Sequence, residues 1–398
     1  MSEAPLKKGQ PLGGIRVLAV EGFVAGPFAS MWLADMGAEV IKIERPDGGD
    51  PSRGLAPSKP DASGNPRSLS FARSNRNKKS VVLDLKTDAG LKQLKALISA
   101  ADVLIENLKP GSLQRLGLGY GDLKKINPLL IYTTISGFGH EDVLPSPQSR
   151  RPAFDVITQA LSGLMLRPER SDPRPVYLGF PLVDVYAATL AFAGTMMALF
   201  ERTRTNEGQH VDIAMYDAAI TLNEITLIYA TALSELPKPG GHAMAEPFGA
   251  FLAADGYLAL GVVGEEVWRR FVAAIEMPDL LEDQRFLTGF LRRKNNVALR
   301  KIVETWLSTR SRVQAAETML RHGVPAAPVQ DVDEVVKDPQ AAARQMILTL
   351  DDPGWGSITV AGNPIKTSTL GKTPTGSPPS LGQHTTAVLS ELIDESDS

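Results

Sequence analysis

Cysteine is absent from all 398 residues, which excludes disulfides, thiolate metal sites and cysteine nucleophiles. Histidine is scarce: His140, His210, His242, His322 and His384 are scattered without the short spacing of metal ligands, so no metal is expected. No uninterrupted apolar run reaches about 18 residues, and the opening MSEAPLKKGQPLGG has no apolar core of signal-peptide length. The expectation is a cytoplasmic protein without membrane contact. A dominant charge is lacking too: 42 Lys and Arg against 45 Asp and Glu leave a net charge of −3, so no broad basic field invites nucleic acid. Internal repeats and low-complexity tracts are missing as well.

What is present reads as a globular chain, with 43% hydrophobic and 22% charged residues and length enough for two packed domains. Residues 15 to 43 have a β-α-β pattern: the apolar run IRVLAV, a helical GPFASMWLADMG with Pro27 in its first turn and Gly37 as its stop, then EVIKI. SVVLDL, a helix around LKQLKALISA, DVLIEN and LLIYTTI continue the alternation, the pattern of a parallel sheet covered by helices. Two long helical stretches follow, VDVYAATLAFAGTMMALFERTR and MYDAAITLNEITLIYATALSE, separated by turn residues and a short strand at TNEGQHVDI. After PKPGGH the pattern becomes a hairpin, GAFLAA and YLALGVV around Asp255-Gly256, followed by three helices. The tail predicts a helix at DPQAAARQMI and a strand at SITVAG before a polar end.

Several segments bear on chemistry. Arg73, Arg76, Lys78 and Lys79 fall within seven residues and read either as a local anion site or as a solvated loop. The first βα loop, EGFVAGP, contains glycine but is not G-x-G-x-x-G, although Glu44 closes the second strand where a ribose-binding acid would sit. Asp184 begins a helix after a proline-containing loop, which by itself fits a cap or dipole partner as well as a functional carboxylate.

Taken in order, VEGFVAGPFASMWLADMGAEVIKIERPDGGD, NRNKKSVVLDLK, DVLIENLKPGSLQRLGLGY, RPAFDVITQALSGLM, GFPLVDVYAA and GQHVDIAMYDA resemble the class III CoA-transferases over nearly the whole chain. GVPAAPV, DPQAAARQM and LGQHTTAVL extend the resemblance towards the C-terminus. It implies an α/β fold: a Rossmann-like large domain with a parallel sheet, built from residues 1–230 and a C-terminal return at 326–398, with a smaller α+β domain at 231–325 between them. It also implies an interlinked homodimer. The substrates would be an acyl-CoA and a small carboxylic acid, with no tightly bound cofactor.

Residue by residue, the resemblance makes Asp184 the covalent nucleophile. It places Gly240 and Gly241 in a loop over the active site, where their backbone N–H groups approach an oxyanion; an interdomain turn is the alternative. Coenzyme A contacts fall on Ala25, Arg45, Asn77, Lys79, Asn107 and Arg115. Asp155 either orients substrate and raises the pKa of Asp184 by repulsion, or caps the helix that follows it. The runner-up activity within the same fold is an α-methylacyl-CoA racemase. That reaction needs a histidine where Phe154 stands and a glutamate where Leu252 stands. A catalytically silent CoA-binding protein is the third reading.

Overall fold

The computed structural model describes residues 9–61, 63–166, 174–233, 245–352 and 356–396. The contacts divide the chain into two units. The first comprises residues 1–165, 177–223 and 339–398, and the second 166–176 and 224–338.

The first unit is built on six parallel strands: β1 (Arg16–Val20), β2 (Glu39–Glu44), β3 (Lys79–Val82), β4 (Val103–Glu106), β5 (Ile131–Ser136) and β6 (His210–Ala214). Their order is β3-β2-β1-β4-β5-β6, so the chain winds outward in one direction from β1 and then crosses back to begin again at β4. This is the doubly wound order, and its crevice lies beyond the carboxyl ends of β1 and β4.

The continuous apolar strand sequences follow from burial on both faces. On β1, Leu18 and Val20 pack with Leu94, Leu97 and Ile98 of α2 (Asp88–Ser99), while Val17 and Ala19 pack on the other side with Leu33 of α1 (Ala25–Asp35) and Ala198 of a long helix. That long helix spans Leu182–Thr205. It is long and apolar enough by composition to cross a membrane, but its Val183, Ala187, Ala188 and Ala191 pack against Ala25 and Ala29 of α1. Small side chains on both partners let the two helices approach closely. The second helical stretch of the sequence is broken into Met215–Leu222, Glu224–Ile228 and a π-helical turn at Tyr229–Leu233.

One edge of the sheet is β3, and a segment from the far end of the sequence covers it. Ser80 N–H donates to His384 Nδ1 (3.1 Å), Val82 N–H to Thr385 Oγ1 (3.0 Å), and Gly382 N–H to Ser80 Oγ (2.9 Å). A helix at Thr385–Ser396, which the polar composition of the tail conceals, follows these contacts and puts Val388 into the core.

The second unit has a three-stranded antiparallel sheet ordered Ala326–Pro328, Gly256–Gly261, Phe248–Ala253. Its hairpin turns at Ala254-Asp255, one residue before the Asp255-Gly256 pair that the sequence suggests, because Gly256 already pairs with Ala253. Phe251, Leu258, Trp268, Phe271, Phe286 and Trp306 form its own core. Here the boundaries fall at 223/224 and 338/339, where the sequence reading placed them at 230/231 and 325/326.

Candidate active site

A cavity of about 740 Å³ opens beyond the carboxyl ends of the parallel strands, lined by residues of the first unit alone. Strand ends supply Val20, Ile43, Glu44, Leu83, Ile135 and Ser136, so the sheet itself forms the floor. Between β1 and β4 the two loops are zipped together: Gly22 N–H donates to Asn107 Oδ1 (2.9 Å) and Asn107 Nδ2 donates to Gly22 O (2.9 Å). The close approach depends on Gly26, where an added Cβ would lie 2.9 Å from Asn107 Cγ and from Glu21 Cβ. Asn107 therefore lines the cavity, but its amide is largely spent on the backbone.

A second framework lies beneath the loops. Lys42, fully buried, reaches Asp50 Oδ2 at 2.9 Å and Glu21 O at 3.2 Å. Lys78 donates to Glu21 Oε1 (2.9 Å), Pro27 O (2.8 Å) and Asn75 Oδ1 (3.0 Å). Burial drives the Lys78 pKa down to about 8, against the attraction of Glu21. Asp50 in turn accepts the Phe23 N–H (3.1 Å), holding a non-glycine residue at φ 63 in the cavity wall. Its ring meets Phe154 edge to face at 5.6 Å.

Asp184 lies in the first turn of the Leu182–Thr205 helix and lines the cavity beside Phe154, Ala153 and Met215. Its side chain accepts no hydrogen bond from any described residue. Burial raises its pKa to about 7, with repulsion from Asp155 adding to that and attraction by Arg73 opposing it. Asp155 is buried and caps a helix, though not the one it starts. Its Oδ1 accepts the N–H groups of Val183 (2.7 Å) and Asp184 (3.2 Å), and Gln159 Nε2 donates to its Oδ2 (2.5 Å). One carboxylate thus positions the start of the helix that carries the other, and also repels it.

Ala25 opens α1 and lines the cavity; this helix has no side-chain cap, so the Ala25 and Gly26 N–H groups stay without intrahelical acceptors. Arg45 stands at the rim, exposed, donating to Gly49 O (3.0 Å) and 3.4 Å from Asp47. Arg115 is exposed behind the rim and donates to Ser112 Oγ (3.3 Å), Ser112 being a lining residue.

The structure does not bring Asn77 and Lys79 to the cavity. Asn77 donates to Asp35 Oδ1 (2.8 Å) and Pro374 O (3.1 Å) and accepts from Gly376 N–H (2.8 Å), which uses up its amide. Lys79 pairs with Glu39 at the amino ends of β3 and β2, the end of the sheet opposite the cavity. Arg76, fully buried, is bidentate to Asp35. Three of the four cations, Arg76, Lys78 and Lys79, are thus internal braces, where the sequence suggests a local anion site or a solvated loop. Glu44 is likewise occupied, by Arg53 and Ser80, and is not free for a ribose. Gly240 and Gly241 lie outside the described residues.

Two cations that the sequence reading passed over do line the cavity, Lys86 and Lys109. Both lie in the loops that follow the carboxyl ends of parallel strands, after Val82 and after Glu106, the region where ligands of open α/β sheets gather. Among the described residues no histidine lines the cavity and no cluster of ligands suited to a metal occurs.

Comparison with known proteins agrees with this geometry. Residues 12–385 match CoA-transferase family III. The chain is 37% identical to a succinyl-CoA:mesaconate CoA-transferase of Haloarcula hispanica, covering 96% of each protein, and 33% identical to a succinyl-CoA:glutarate CoA-transferase of Mus musculus, covering 96% of this chain and 87% of that one. A crystal structure of a CAIB/BAIF family protein from Brucella suis superposes with a TM-score of 0.83 at 30% identity, over 97% of this chain and 100% of the other. A doubly wound sheet with its cavity at the switch point, an Asp opening the helix on the cavity wall and a match along nearly the full length lead to one conclusion: the chain belongs to CoA-transferase family III, a family of acyl-CoA:carboxylate CoA-transferases.

Proposed function

We propose that this enzyme moves CoA from an acyl-CoA to a small carboxylic acid with Asp184 as the covalent carrier. The observation that carries the reading is a carboxylate on the cavity wall with no hydrogen-bond donor among the described residues and with its pKa raised to about 7 by burial. A carboxylate so poorly solvated is a stronger nucleophile than one in water once it is ionised.

In the first step an Asp184 oxygen attacks the donor thioester carbonyl, the C–S bond breaks, and CoA leaves as a thiolate with a mixed anhydride left on the enzyme. The thiolate attacks the aspartyl carbonyl, releasing the donor acid and forming a β-aspartyl-CoA thioester. The acceptor carboxylate then expels the thiolate to give a second anhydride. Attack of the thiolate on the acceptor carbonyl yields the new acyl-CoA and regenerates Asp184. Each addition develops an oxyanion, and the Ala25 N–H, at the uncapped start of α1 in the cavity wall, is a donor available to meet it. Arg45, Lys86 and Lys109 take the phosphates at the other end, with Arg115 next to the rim.

Proton exchange at Cα, the racemase reaction, is disfavoured by Phe154, an untitratable ring in the cavity wall with no described histidine beside it. The working form in this reading is a cytoplasmic homodimer of interlinked chains. Exposed apolar side chains on the long helix, Met197 at 68% and Phe200 at 63%, support a partner on that face. The acids named for the two relatives, mesaconate and glutarate, both carry two carboxylates, which points to a dicarboxylic acid here.

The test is to incubate the enzyme with an acyl-CoA, trap with hydroxylamine or borohydride, and map peptides by mass. Modification at Asp184 is expected. Modification elsewhere, or none with any productive acyl-CoA, overturns the assignment.

A further inference from the structure

Glutamates stand at the carboxyl ends of three adjacent strands, Glu21 just past β1, Glu44 on β2 and Glu106 on β4, each withdrawn from water. Glu21 meets Lys78 at 2.9 Å and Glu44 meets Arg53 at 2.6 Å. Glu106 differs, for among the described residues it pairs with no cation. A buried acid in that position lowers stability unless its oxygens find donors. The Leu108 N–H donates to Oε2 (2.7 Å), and the Tyr132 hydroxyl on the adjacent β5 donates to Oε1 (3.4 Å). Burial raises the Glu106 pKa to about 7, with both hydrogen bonds opposing the rise and Asp212 adding to it.

The shorter bond folds the side chain back over the loop that leaves its own strand. Asn107, Leu108, Lys109, Pro110 and Ser112 of that loop line the cavity. Beyond Leu108 the loop is tied to itself: Ser112 N–H donates to Lys109 O (3.0 Å), Arg115 N–H to Gly111 O (3.1 Å) and Arg115 Nη2 to Ser112 Oγ (3.3 Å). Fixed contacts thus run from Glu106 through Leu108 to the backbone of Lys109. Among the described residues the Lys109 ammonium meets no carboxylate and makes no hydrogen bond, so its place in the cavity wall depends on that backbone.

We infer that Glu106 is a positioning residue for acyl-CoA: by accepting the Leu108 N–H it fixes the backbone from which Lys109 reaches a CoA phosphate. The inference rests on the reading above that Lys109 takes a phosphate. What the loop needs from Glu106 is an acceptor oxygen in a fixed place, and a glutamine of the same shape supplies one without charge. Leucine fills the same space and leaves the Leu108 N–H without that acceptor.

The experiment measures CoA binding by calorimetry for wild type, Glu106→Gln and Glu106→Leu, each with and without Lys109→Ala. Glu106→Leu should raise the Kd for CoA about 5- to 20-fold, while Glu106→Gln stays within about threefold of wild type. Lys109→Ala should weaken binding about 3- to 10-fold in wild type and less than about twofold once leucine stands at 106, because two residues acting through one contact do not add. With a productive acyl-CoA, KM should follow Kd and kcat should change little. Equal losses in the Gln and Leu variants, an unchanged Kd in Glu106→Leu, or losses that multiply in the double variant overturn the inference. Hydrogen exchange gives a readout in the wild type itself: the Leu108 amide should be protected, and free exchange there overturns the inference even if Glu106→Leu does not fold. A loss in Glu106→Leu without one in Lys109→Ala would uphold the anchor and move the phosphate off Lys109. Glu106-dependent CoA binding in a wild type that transfers to no acid would uphold the anchor and sink the transfer reading, and transfer with Kd unaltered in Glu106→Leu would do the reverse.

Discussion

Glu44 and Asp184 line the same cavity, both are withdrawn from water, and their pKa values shift in opposite directions. Burial pushes Glu44 up as well, but four donors outweigh it: Arg53 Nη2 (2.6 Å) and Nε (2.7 Å), Ser80 Oγ (2.7 Å) and the Asp50 N–H (2.9 Å), with Lys42 adding its charge. Its carboxyl is held below the usual range. Asp184 has no such donor among the described residues, and burial prevails. The lesson is that donor supply, more than depth, separates a structural carboxylate from a reactive one. The consequences for stability have opposite signs. Glu44 stabilises the fold at neutral pH, a contribution lost as pH falls through its lowered pKa. Asp184 favours the fold only while protonated, and that contribution is lost as pH rises from about 3.9, the ordinary value, to about 7.

The sharpest way to break this contrast is Asp184→Asn. Transfer should fall by about 10⁴-fold or more, while urea unfolding at pH 8 shows stability unchanged or higher. A variant keeping most of its transfer rate, or one that is clearly less stable, removes the distinction. Glu44→Gln should do the opposite, costing about 3 kcal/mol or more in urea unfolding because Arg53 loses a charged partner that is fully buried. A shift well under 1 kcal/mol, the scale of a surface pair, would place Glu44 among the dispensable carboxylates. Smaller still, Arg45→Ala and Lys109→Ala should each raise the KM for acyl-CoA about 3- to 10-fold, more at low salt than at high, with kcat little changed. An unchanged KM in both would move the phosphates elsewhere. The most delicate test is the pH profile. The kcat/KM for acyl-CoA should rise through about pH 7 as Asp184 ionises, and in Asp155→Asn that limb should move towards lower pH. A limb that stays in place would mean burial alone sets the value.

Much of the sheet was legible because each strand carries its own signal: RVLAV, EVIKIE and IYTTIS are rich in β-branched residues and bounded by turn residues, and both faces of the sheet are buried. Asp184 was legible through the motif around it. The basic cluster was not, because the partners that decide its fate, Asp35, Glu21 and Glu39, are 40 to 57 residues away in sequence. Asp155 shows the same effect. It sits where a local cap belongs, yet the amides it caps are those of Val183 and Asp184, 28 and 29 residues later. Local pattern reports the element, whereas a charged side chain is assigned its role by whatever the fold brings beside it.

The cover over β3 bears on how the chain is made. Its donors Ser80 and Val82 wait for acceptors about 300 positions later, at His384 and Thr385. On a ribosome adding about 5–20 residues per second, that interval lasts from about 15 s to a minute. Throughout it the nascent sheet exposes an unpaired edge, the kind of template on which neighbouring chains associate. A form shortened before residue 380 should therefore retain much of its parallel core and still accumulate as aggregate, a defect of solubility more than of stability.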